Sequence, residues 1–148
     1  MAVLIVQVLA TAVARCFVPW RDAVRIGMAV LFLFTGAAHF SPLKHDMAAM
    51  IPPPLTGALR VIYLTGVLEI AGAAGLLTSR WRTTAGWGLI ALLAGMFPAN
   101  IHAAVADVKL GGSDPTPLLV RTPLQLLWMV ALYWSTIRSV APGPKVSA

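Results

Sequence analysis

Residues 64–77 read LTGVLEIAGAAGLL, and they place one carboxylate, Glu69, inside a segment otherwise apolar enough to lie in lipid. An ionisable group at bilayer depth is expensive, so it faces a bundle interior or a polar cavity and needs a partner. The small residues that follow it, from Ala71 to Gly75, let a neighbouring helix approach closely. Glu69 is therefore expected at a helix–helix contact. Every other polar residue within an apolar run becomes a candidate to reach it.

The wider composition agrees with that reading. The chain has 148 residues, 59% hydrophobic and only 11% charged, with a mean hydropathy of +0.83, which is too apolar for a soluble domain of this size. An integral membrane protein of the all-α class is expected. Apolar runs of roughly 18 to 22 residues, broken by short charged loops, suit spanning helices rather than the alternating strands of a barrel. The formal net charge of +6 does not point to nucleic acid, because the basic residues stand singly in loops and read as topology signals. Cys16 is the only cysteine, which excludes an internal disulfide and a CxxC thiol pair, so any redox role needs a cofactor. The first apolar run, Met1 to Ala14, lacks the basic start and the small-residue cleavage site of a signal peptide and is read as retained.

Five spans follow in order: residues 2–19, 23–40, 57–77, 84–105 and 118–137. Pro19 and the Trp20-Arg21-Asp22 cluster mark the first turn, with Asp22 placed to cap the second span. Between the second and third spans, Pro42 to Met50 suits a short interfacial helix with Leu43, Met47 and Met50 on one face, and Pro52-Pro53-Pro54 then enforces a stiff extended link. Pro98 removes one backbone hydrogen bond from the fourth span, and Asn100 is expected to satisfy the carbonyls it frees. Trp20, Trp81, Trp87, Trp128 and Trp134 are read as an interfacial belt. Residues 1–20 thus form an N-terminal membrane helix, residues 21–140 a four-helix membrane domain and residues 141–148 a disordered tail.

Loop charge sets the orientation. Arg15, Arg21, Arg25, Arg80, Arg82, Arg138 and Lys145 fall on one side, and Lys44, Arg60, Lys109 and Arg121 on the other, seven against four. The positive-inside rule puts the richer side in the cytoplasm, with the N-terminus outside and the C-terminus in the cytoplasm of a multi-pass protein of the cell membrane. His39, Arg60, Asn100, His102 and Arg121 then share the outer leaflet. Gln125 lies one turn below Arg121, and Glu69 roughly 13 Å below Arg60 along its helix. A polar cluster in the outer half of the bundle is the expectation.

The motifs TGAAHF at 35–40, MIPPPL at 50–55, TGVLEIAGAAGLL at 65–77, MFPANIHAA at 96–104 and RTPLQLLW at 121–128 together resemble the DoxX-like family of small membrane proteins. The resemblance covers residues 23–137. It implies a four-helix membrane bundle with the N-terminal helix as an addition, and a place beside redox systems, some members being similar to the membrane subunit of an archaeal thiosulfate:quinone oxidoreductase. The positions it carries over are His39, Pro52, Glu69, Gly72, Pro98, Asn100, Arg121 and Gln125.

Two function classes follow. In the first, the chain is a membrane subunit of a redox system that binds a quinone or similar small apolar ligand through His39, Glu69, Asn100, Arg121 and Gln125, alongside a redox partner protein. In the second it is a non-catalytic scaffold or accessory subunit, possible as a homo-oligomer, whose polar cluster fixes helix packing. Glu69 is expected first of all as the counter-ion of Arg121, since charges in a membrane are paired. His39 and His102, on different helices at similar depth, have the arrangement of haem ligands, but haem is disfavoured, since interfacial hydrogen bonding also explains both and neither has an evident carboxylate to orient its ring. A transporter is disfavoured for want of an inverted repeat.

Overall fold

The computed structural model describes residues 2–53, 56–114 and 116–137. Its regular structure is helical: α1 Ala2–Arg15, α2 Trp20–Ala38, α3 Lys44–Ala49, α4 Ala58–Leu77, α5 Arg82–Val105 and α6 Leu118–Leu132, the last running on into a π-helical turn, Tyr133–Ile137. Pro54, the loop charges Arg138 and Lys145 and the tail from 141 lie outside the described residues.

Proline and glycine set the helix ends. Pro19 is extended, with φ −54° and ψ 151°, and a proline disfavours helical geometry in the residue before it. α1 stops at Arg15 rather than 19, the backbone of Phe17 and Val18 turning back to the Ala14 carbonyl at 3.0 Å, and the Arg15 guanidinium donates to the Val18 carbonyl at 3.3 Å. At 14 residues, α1 is an apolar helix shorter than the expected 2–19 run. Pro19 also occupies the position ahead of α2, with no side-chain cap. Asp22 is therefore not a cap; it lies in the first turn and pairs with Arg25 at 2.6 Å. Gly57, at φ +80°, supplies the left-handed residue that turns the chain into α4, a conformation that only glycine adopts without strain.

Two helices, α4 and α5, are long and apolar enough to cross a membrane. Only 28% and 17% of their apolar windows are buried, so most of their apolar surface faces outward. Leu64 and Val67, for example, are more than half exposed. By contrast α2 opens with Arg21, Asp22 and Arg25, and α6 gives way to the π-helical turn after 15 residues.

The helix contacts run from α2 to α4, α4 to α5, α5 to α6 and α6 back to α2, with α1 laid against α2 and α3 against α4. The shared core is built from Met28, Leu31, Phe32, Leu76, Leu89 and Leu132. Small residues hold the axes close. A Cβ added to Gly66 would stand 2.6 Å from the His39 Cβ, and one added to Gly36 would stand 3.1 Å from the Gly66 carbonyl oxygen. That contact between α2 and α4 lies directly beside Glu69. Farther along α4, Gly72 meets Leu89 and Gly75 meets Ala85, both on α5.

Candidate functional site

The end of α2 prepares the first wall of the site. Its last four carbonyls have no helical donor, and each finds one nearby. Thr35 O accepts from His39 Nδ1 at 2.9 Å, Gly36 O from the His39 backbone at 3.2 Å, Ala37 O from Phe40 at 3.0 Å and Ala38 O from Ser41 at 3.1 Å. Because a carbonyl only accepts, His39 carries a proton on Nδ1, which leaves Nε2 as its uncommitted nitrogen. One turn earlier on the same face, the Thr35 hydroxyl donates to the Glu69 carboxylate, Oγ1 to Oε2 at 2.5 Å. Glu69 comes from α4 and is only 3% exposed.

The second wall belongs to α5 and α6. Arg121 Nη1 donates to Asn100 Oδ1 at 3.1 Å, Asn100 Nδ2 to Gln125 Oε1 at 3.0 Å, and Gln125 Nε2 to the Leu93 carbonyl at 2.6 Å. The direction of this relay is fixed from both ends. A carbonyl at one end can only accept and a guanidinium at the other can only donate, so both amide orientations follow. Leu93 precedes Ala94, whose carbonyl loses its helical donor because residue 98 is proline. The side chain that reaches the weakened turn is therefore Gln125, and Asn100 instead links Arg121 to Gln125.

Both walls line one cavity of about 640 Å³. His39, Glu69, Asn100, Arg121 and Gln125 all border it, together with Thr35 and Trp128, and the remainder of its lining is largely apolar. The expected ion pair does not form. Among the described residues no ion pair joins Glu69 to Arg121, the two pairs found being Asp22 with Arg25 and Asp114 with Lys109. Helix phase explains this: Thr35 meets the carboxylate from α2, and Asn100 meets the guanidinium from α5. The site thus carries an acid–imidazole wall and a cationic amide wall.

His102 is not part of it. Its Nδ1 donates to the Met50 carbonyl at 3.1 Å, and it does not border the cavity, so the two histidines do not share the space that a haem between them requires. Among the described residues, no three of His, Cys, Asp and Glu come together as metal ligands.

Thr35, Trp128 and the residues of α1 were not assigned to the site from sequence. Thr35 stands one helical turn before His39, and a hydroxyl at that spacing inside TGAAHF is the signal. Trp128 lines the cavity rather than serving only a belt. Its indole N–H donates to Gln7 Oε1 at 3.1 Å, while Gln7 Nε2 donates to Met28 Sδ at 3.4 Å. Val3 and Leu4 of α1 complete that side of the lining.

A family model described as "Domain of unknown function (DUF8561)" matches residues 28–137. The chain belongs to that family. The DUF8561 match covers all six polar residues of the two walls and leaves out α1 and the charged start of α2. No curated protein and no solved structure matches the chain.

Proposed function

We propose that the chain is an integral protein of the cell membrane in which α2, α4, α5 and α6 with its π-helical turn form a DoxX-like four-helix bundle, α1 being an added helix. In this reading the N-terminus is outside, the C-terminus is cytoplasmic and the cavity lies in the outer half. The bundle serves as a membrane subunit of a redox system and binds a quinone or similar small apolar molecule beside a partner protein. The observation that carries this reading is the cavity itself: two polar walls facing a common space, within helices whose outer surfaces are apolar. Arg121 donates to a ligand carbonyl, Glu69 and His39 hydrogen-bond or exchange protons with the opposite oxygen, and Asn100 and Gln125 hold Arg121 in place.

The test uses the full chain purified in mild detergent, with solvent extraction and mass spectrometry of bound quinones and a visible spectrum before and after dithionite. A stoichiometric quinone without a haem band is expected. Absence of any co-purifying quinone, together with no binding at micromolar concentration, overturns the reading. Hydrogen bonds to charged groups contribute about 1.5–3 kcal/mol, so Glu69→Gln is expected to weaken quinone binding by roughly tenfold or more.

The scaffold reading has its own observation, the closed relay from Arg121 to Leu93, which ties α5 to α6 with no ligand needed. In that case Glu69→Gln lowers thermal stability and leaves ligand binding unchanged.

A further inference from the structure

The four seams of the bundle are closed unequally around the cavity. Between α2 and α4 the axes meet at Gly36 and Gly66, and a Cβ on Gly66 would collide with His39. Between α5 and α6 the relay Arg121–Asn100–Gln125 bridges the gap. Where α6 meets α2, α1 is tied across by the bond from Trp128 to Gln7. The end of the bundle at α3 is tied down: His102 holds the Met50 carbonyl, the Asp46 carboxylate accepts from the Gly111 backbone at 2.8 Å, and Met47, Met50 and Ile51 border the cavity.

The α4–α5 seam differs. The two helices are in contact where Gly72 and Gly75 meet Leu89 and Ala85. Nearer α3, both helices border the cavity with residues that are themselves exposed: Leu64, at 59%, and Leu68, at 45%, on α4, and Ala91 and Gly95 on α5. A Cβ placed on Gly95 meets nothing within 4 Å. The one hydroxyl on this edge, Thr65, donates to the Ile62 carbonyl at 2.9 Å and so offers its proton to its own helix.

We infer that the cavity is filled sideways from the hydrocarbon phase, between α4 and α5, by an amphiphile whose polar head reaches the two walls and whose long apolar tail lies between Leu64, Leu68 and Gly95. This rests on the proposed quinone site, which it narrows to quinones bearing a long prenyl tail. An apolar slot and a polar far end suit such a molecule. A water-borne ligand would have to pass the tied cover at α3.

The full chain is reconstituted in phosphatidylcholine vesicles and titrated with a long-tailed prenyl benzoquinone and with the same headgroup lacking its tail. Gly95→Phe is expected to weaken the tailed quinone tenfold or more and to leave the tail-less headgroup within twofold, and Leu64→Trp to do the same. Equal losses for both ligands, or no loss for the tailed one, overturn the sideways route. Binding of neither ligand to the unaltered chain overturns the quinone site. The route then still has its own readout, in a variant retaining Trp128 with Trp20, Trp81, Trp87 and Trp134 changed to Phe. Lipids brominated on an acyl chain quench Trp128 if hydrocarbon reaches the cavity, and Gly95→Phe relieves at least half of that quenching. Quenching that is absent, or indifferent to Gly95→Phe, overturns the route.

Discussion

Thr35 shows how much one hydroxyl can decide. It has a single proton and three acceptors in reach, Glu69 Oε2 at 2.5 Å, the Leu31 carbonyl at 3.1 Å and the Phe32 carbonyl at 3.5 Å, and the shortest contact is the one between helices. Thr35→Val keeps the shape of the side chain and removes the donor, so Glu69 loses its partner on α2. The expected result is a loss of about 1–3 kcal/mol of stability, measured by thermal unfolding in detergent, with Thr35→Ser recovering most of it. This residue was hard to find in the sequence for a physical reason. Threonines in apolar helices commonly bond their own preceding turn, as Thr35 also does, and nothing local reveals a second acceptor on another helix. Arg121 illustrates the same limit: its charge type pointed to Glu69, but helix phase set Asn100 beside it.

At the scale of helices, close approach is what places Glu69. The α2–α4 contact has room for hydrogen and nothing larger at Gly66, where a Cβ would lie 2.6 Å from His39 and 3.0 Å from Phe40. Gly66→Val is expected to separate the two helices and to destabilise the protein by about 1–3 kcal/mol or more, and to lengthen the path between Thr35 and Glu69. Equilibrium unfolding, together with a disulfide cross-link engineered across the contact, checks it: the variant cross-links more slowly. Helix positions were largely legible beforehand, because prolines, glycines and loop charges punctuate this chain heavily. The run expected at 57–77 holds α4, Ala58–Leu77, and that expected from 118 holds α6, which begins at Leu118. The N-terminal helix was the exception, since the chain already turns at Cys16 to Val18, ahead of Pro19.

For the molecule as a whole, orientation is the property most open to direct test. Cys16 is exposed and is the lone thiol, and it follows α1 on the side where Arg21, Arg80 and Arg82 gather. In intact cells it is expected to resist a membrane-impermeant maleimide and to react once the membrane is permeabilised; labelling in intact cells would reverse the proposed topology. The gathering of polar residues at one end of the bundle was readable from their depth along each helix. Which of them touch was not, because rotation of one helix against another leaves no trace in a single sequence.

The contact of Gly72 and Gly75 with Leu89 and Ala85 has a mechanical consequence. Two rods pinned near one end open by tilting, and the pin sits on the far side of Glu69 from α3. Gly95 is six residues beyond Leu89, about 9 Å along the axis, so a tilt of about 10° moves it by roughly 1.6 Å. Helix tilt responds to the thickness of the surrounding bilayer. In the proposed membrane-embedded bundle, the lipid composition of the host membrane therefore acts as a dial on the width of the gap.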